Sequence, residues 1–289
     1  MPKRIREMRL ILLAALLVSI TTPAETTYGK DPKMKAEELV EKHLASIGKA
    51  DALAAARTRA MSGTAQVTFR LPTSGLLAGK GNLLSDGKKV RVTMEFGALE
   101  YPVEQAAFDG EHITVGQIRP GQRSALGGFL YVHDVLLKDG LLCGSMTTAW
   151  ALLDVAGRQA KLEYTGLKKI DGRQLHEMKY RSKKGAGDLQ VALYFDPESF
   201  RHVATISKLV QPASMGRSPM ESSGQRDILY QLKEDYSDFK EVDSLTLPHA
   251  YKLVYTMEGQ NQTILVDYNL AMERVAHNQP IDPKYFAVQ

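Results

Sequence analysis

Between positions 61 and 71 the chain alternates strictly: Met61, Gly63, Ala65, Val67, Phe69 and Leu71 are separated by Ser62, Thr64, Gln66, Thr68 and Arg70. A period of two predicts a long strand with one sheltered face. The alternation returns at Val90/Val92/Met94/Phe96, Leu189/Val191/Leu193/Phe195, Ile228/Tyr230/Leu232, Tyr251/Leu253/Tyr255 and Ile264/Val266/Tyr268. The links between these runs are short turn signals: Asp86–Gly87, Asp109–Gly110, Asp171–Gly172, the stretch 185–188 and Asp196–Pro197. Strands joined this tightly must be antiparallel, because a parallel return needs a crossover of about a dozen residues or more. About ten to eleven strands are expected, and a twisted sheet that wide must curl or close.

Two stretches depart from this pattern. Asp31–Pro32 reads as a helix cap followed by proline in the first turn, and Ala36, Val40, His43, Leu44 and Ile47 then recur at helical spacing until Gly48. His43 lies on the apolar stripe and reads as a packed core histidine. A shorter helical piece is expected over 51–59. The second departure is 126–155, where alternation disappears and Phe129, Val132, Leu136 and Leu137 follow helix-like spacing. It reads as two or three short, very apolar helices, with Trp150 in the last. Such a segment must pack on the sheet, either as a plug or as a movable lid with possible hinges at glycines 127, 128, 140 and 144.

Composition narrows the class. The 289 residues are 44% hydrophobic and 24% charged, ordinary for a globular chain. Lys3, Arg4, Arg6 and Arg9 precede the apolar run 10–20 and the small residues 21–24, the layout of a cleavable secretory signal. The expected organisation is a signal peptide over 1–24 and one domain over 25–289, periplasmic or secreted. Without Lys3, Arg4, Arg6, Arg9 and Glu7 the formal charge of +4 falls to 33 basic against 32 acidic groups. Nothing in that balance steers the chain to nucleic acid.

Catalytic signatures do not emerge. There is no Gly-x-Ser-x-Gly elbow, P-loop, His-Glu-x-x-His or Cys-x-x-Cys, and the seven histidines never fall at i, i+2 or i, i+4. No metal or cofactor is expected. Cys143 sits among leucines, where a thiol is held protonated and inert. Glu234, Asp235 and Asp238 read as a solvated charged connector. A curved sheet with an apolar cover describes instead a container that binds by burying ligand surface, at about 0.8 kcal/mol per methylene.

Several elements carry a resemblance: the helix 37–48 leading into Ser62–Gly63–Thr64, then Gly81–Asn82–Leu83, Ala107–Phe108–Asp109–Gly110, Phe195–Asp196–Pro197 and the closing run from Tyr236 and Phe239 to Leu247–Pro248. In their order the chain resembles the LolA/LolB superfamily of periplasmic lipoprotein carriers and their lipoprotein-sorting-like relatives. The resemblance implies an unclosed antiparallel β half-barrel with a helical lid. It also implies acyl-chain binding without catalysis, and a lipid or acylated lipoprotein as partner. The apolar ligand site is expected at Val67, Phe69, Val92, Met94, Phe129, Val132, Leu136, Trp150, Val191 and Leu193. The Arg-Pro that helps such carriers hold the lid shut has no counterpart after Leu84, and Arg70 and Arg91 are candidates for that role by strand position. An envelope sensor of the same fold, with membrane proteins as partners, is the alternative, and a hydrolase comes third.

Overall fold

The computed structural model describes residues 34–183, 187–213 and 226–288. The expected signal peptide, the Asp31–Pro32 cap and part of the turn at 185–188 lie outside them.

Helix α1 (Ala36–Ile47) ends at Gly48, and α2 (Ala50–Ala55) follows it directly. Strands β1 (Thr58–Leu71), β2 (Gly75–Asp86), β3 (Lys89–Ala98), β4 (Tyr101–Phe108) and β5 (Ile113–Val115) form an antiparallel meander. A second meander runs through β6 (Lys161–Ile170), β7 (Arg173–Arg181), β8 (Gln190–Phe195), β9 (His202–Gln211), β10 (Ile228–Val242), β11 (Leu245–Glu258) and β12 (Thr263–His277). The two are joined where β1 pairs with β12, giving a single 12-stranded antiparallel sheet in the order β5-β4-β3-β2-β1-β12-β11-β10-β9-β8-β7-β6. The sheet is open, with β5 and β6 as its two edges. The antiparallel meander is the one expected from the alternation, its unclosed form the one the resemblance implies, with twelve strands among the described residues where ten to eleven were anticipated.

Tight turns explain the meanders. The β6–β7 hairpin turns at Asp171 (φ 48°) and Gly172 (φ 81°), both in the left-handed conformation that two-residue hairpins require.

The segment that breaks the alternation connects β5 to β6 and therefore runs from one edge of the sheet to the other. It contains α3 (Ala125–Val132), α4 (Val135–Lys138), two single 3₁₀ turns (Gly144–Met146 and Ala151–Asp154) and α5 (Val155–Arg158). Trp150 precedes the second 3₁₀ turn instead of lying within a helix. The main core lies between this insert and the inner face of the sheet: Leu126, Leu130, Leu136, Met146 and Trp150 pack with Val67, Leu83, Met94, Leu232, Leu253 and Tyr268. A smaller cluster, Leu175, Tyr194, Val203, Ala204 and Ile206, lies on the opposite face of β7–β9.

Candidate functional site

The inner face is built by register. Val67 is opposite Tyr268 and Phe69 opposite Val266 across the β1/β12 seam, Met94 faces the same side from β3, and Val191 and Leu193 do so from β8. All of the expected site residues on the strands are buried here except Phe69, which is half-buried with its ring 5.1 Å from that of Tyr101. From the insert, Phe129 packs between Tyr230 and Tyr255, with ring centroids at 5.8 and 5.7 Å. Leu136 and Trp150 are fully buried. Val132 is different: it is 71% exposed. In α3 the buried stripe is Leu126, Phe129 and Leu130, and at 100° per residue Val132 falls about 120° from the centre of that stripe.

The space under the insert is nearly filled. A cavity of about 10 Å³ remains between Val92, Met94 and Glu104 on one side, Tyr251, Leu253 and Leu270 on the other, and Leu126, Leu130 and Leu142 above. That is room for about one water molecule.

Polar contacts tie the insert down. Arg59, 4% exposed, donates from Nη1 to the carbonyl of Ser145 at 2.9 Å and from Nε to His277 Nε2 at 2.9 Å. Burial lowers its pKa to about 10. The amide of Thr148 donates to Ser85 Oγ at 3.0 Å, and Tyr180 donates to Asp139 at 2.9 Å. The indole of Trp150 donates to His43 Nε2 at 2.9 Å, which leaves the proton on Nδ1, where it reaches the carbonyl of Phe200 at 3.1 Å. His43 is thus a packed core histidine, and burial depresses its pKa to about 4.

Neither Arg70 nor Arg91 takes part in this latch. Arg70 follows the inward Phe69 and so faces outward, where it pairs with Asp267 at 2.6 Å. Arg91 lies between the buried Val90 and Val92, and its guanidinium bonds Thr93, Gln105 and the carbonyl of Tyr285 on the outer side. The arginine that reaches the insert is Arg59, which shares the inward parity of Met61. An arginine in phase with the apolar side of the first strand was the available signal.

The reading of Glu234 as part of a solvated connector is overturned. It is fully buried in the interior of β10, in phase with Leu232 and Tyr236. Its Oε1 accepts from the Cys143 amide at 2.8 Å, Tyr236 Oη at 2.9 Å and Tyr251 Oη at 2.8 Å. Burial raises its pKa to about 7 against the lowering effect of those three donors. A second buried acid, Glu104 on β4, accepts from Tyr101, whose hydroxyl lies 2.8 Å from that of Tyr268. Burial raises the Glu104 pKa as well, against hydrogen bonds from Ser124 and Tyr101 that lower it. Ser124 caps α3 by accepting from the Gly127 amide at 2.7 Å. Two buried acid clusters therefore lie beneath the insert, Glu234 between Tyr236 and Tyr251 and the chain Glu104–Tyr101–Tyr268, and Glu104 and Tyr251 both line the small cavity.

This arrangement can hold protons and backbone amides. Burial and the nearby Glu234 carboxylate push the Cys143 thiol well above its ordinary pKa, which keeps it out of the thiolate form a nucleophile needs. Among the described residues no three His, Cys, Asp or Glu side chains group to hold a metal ion.

No family model matches the chain, and no curated protein matches it. Among solved structures it is similar to the LolA superfamily protein NE2245 from Nitrosomonas europaea: 14% identity, 88% of this chain, 98% of the other, TM-score 0.45. It is also similar to a domain from Vibrio parahaemolyticus assigned to outer-membrane lipoprotein sorting, at 8% identity, 86% and 94% coverage and TM-score 0.44. A DUF1329 family protein from Desulfovibrio piger matches at 8% identity, 87% and 97% coverage and TM-score 0.39. At TM-scores below 0.5 none of these likenesses bears on a ligand.

Proposed function

We propose that the protein is a non-enzymatic carrier of the cell envelope, periplasmic or secreted, that binds the acyl chain of a lipid or lipoprotein on the inner face of its sheet after the insert lifts. The observation that carries this reading is the division of labour beneath the insert. Its apolar side chains bury a continuous aliphatic and aromatic floor drawn from both meanders, while a small number of hydrogen bonds, donated by Arg59 and Tyr180 and accepted by Ser85, His43 and Glu234, hold it in place. An acyl chain that displaces the insert keeps the floor out of water, and each methylene transferred recovers about 0.8 kcal/mol.

The test is native mass spectrometry of protein secreted by its own cell, followed by titration of the delipidated protein with a long-chain lipid while Trp150 emission is recorded. Bound lipid and a saturable shift are expected. A ligand-free protein with unchanged emission overturns the reading.

The near-filled cavity favours a second reading. If the insert is a fixed plug, the same fold is an envelope interaction module, and affinity capture returns a membrane protein in place of lipid.

A further inference from the structure

Beneath the insert, three buried polar atoms on two adjacent strands have no hydrogen-bond partner: Glu234 Oε2 on β10, and Ser207 Oγ and His202 Nδ1 on β9. Pairing places them on the inner side. Ser207 is opposite Val191 and Leu232, both in the main core, and Thr205, opposite Glu234, accepts or donates at 2.9 Å with His202 Nε2. The His202 ring stacks at 4.6 Å under Trp150 and lies 4.5 Å from Tyr236, itself a donor to Glu234. An unpartnered polar atom this deeply buried costs free energy that a complementary ligand group recovers.

The chemistry of the patch is one-sided. Glu234 Oε1 keeps two donors from the sheet, Tyr236 and Tyr251, when the insert and its Cys143 amide lift away, and an ionised carboxyl can only accept. Glu104, a second buried carboxyl, lines the small cavity under the insert. Among the described residues the one buried arginine, Arg59, is committed to Ser145 and His277. A ligand head that donates gains a charge-assisted bond at this patch, whereas a carboxylate head meets a like charge with no cation to offset it.

We infer that the inner face takes amphiphiles whose head group donates hydrogen bonds, such as a monoacylglycerol hydroxyl, and rejects free fatty-acid anions, with Glu234 as the residue that discriminates. This rests on the carrier reading and adds the polar half of the ligand to it.

The experiment displaces N-phenyl-1-naphthylamine, a neutral probe, from the full-length mature protein at pH 7.5 with monododecanoylglycerol or with dodecanoate, which share one acyl chain. The glyceride is expected to compete at least tenfold better. Glu234→Gln, whose amide supplies a donor, is expected to narrow that gap to a fewfold by improving dodecanoate. Ser207→Ala removes no charge and is expected to weaken the glyceride alone, so the assignment stays testable if the glutamine variant does not fold. Equal competition by both ligands in the parent protein overturns the inference and leaves the carrier reading standing. A preference that neither substitution changes overturns the role of this patch. Failure of the probe and of both ligands to bind the parent overturns the carrier reading itself.

Discussion

The indole nitrogen of Trp150 lies 2.9 Å from Nε2 of His43, joining the last part of the insert to helix α1, the first described element of the chain. Because both residues are fully buried, the bond has no water to replace it. Trp150→Phe leaves His43 Nε2 without a donor and removes ring volume. We expect a loss of about 2–4 kcal/mol of unfolding free energy, measured by urea titration followed by far-ultraviolet circular dichroism.

Arg59→Met keeps the length of the side chain and removes its bonds to Ser145 and His277. The insert should loosen before the sheet does. The expected results are increased quenching of Trp150 by acrylamide under native conditions and a stability loss of about 2–4 kcal/mol.

The response to pH follows from two buried groups with opposite signs. His43, held at about 4 against an ordinary 6.5, is protonated more readily in the unfolded chain, so its contribution is present above 6.5 and is lost as pH falls towards 4. Glu234, held at about 7 against an ordinary 4.5, is protonated more readily in the folded chain, so its contribution is present below 4.5 and is lost as pH rises through 7. Over the shared window the two slopes oppose one another. Glu234→Gln removes the second, and stability measured between pH 4.5 and 7 should then rise more steeply than in the parent, by about 3 kcal/mol over the interval. An unchanged profile means that Glu234 is not the group responsible.

Ser85→Cys combined with Thr148→Cys tethers the insert to β2, at a place where a hydroxyl oxygen and an amide nitrogen are 3.0 Å apart. If acyl ligands enter by lifting the insert, the oxidised form should lose uptake of a fluorescent acyl probe and recover it on reduction. Equal uptake by the oxidised and reduced forms contradicts a movable cover.

Within the insert, exposure separates structural from dispensable side chains. Leu136→Ala should cost about 2–5 kcal/mol, whereas Val132→Ala should stay within about 0.5 kcal/mol. Thermal melts of the two variants check both values.

Alternation carried most of the fold. It marked the strands that supply Val67, Met94, Leu193, Leu253 and Tyr268, and the loss of alternation marked the insert. What it could not convey was phase across elements. Val132 belongs to the same helix-like run as Phe129 but falls outside the buried arc, and a spacing of three residues alone does not distinguish the two. The polar part of the site was hidden for a related reason. Glu234 is followed by Asp235 in a charged stretch, so local composition suggested solvent, although its two-residue spacing from Leu232 and Tyr236 places it inside. Arg59 was missed because it was placed at the end of a short helix expected over 51–59, with the strand beginning at Met61, whereas that helix ends at Ala55 and the strand begins at Thr58.

The seam between β1 and β12 has a consequence for how the chain reaches its native state. Each meander is made of neighbours in sequence, so its hairpins can zip locally, but the contact that unites them closes a loop of roughly 200 residues, the kind of non-local step that sets folding speed. Until β12 is delivered, β1 presents an unpaired edge 14 residues long at what will become the middle of the sheet. A chain interrupted anywhere before its final strand is therefore left with its most adhesive surface open to other strands.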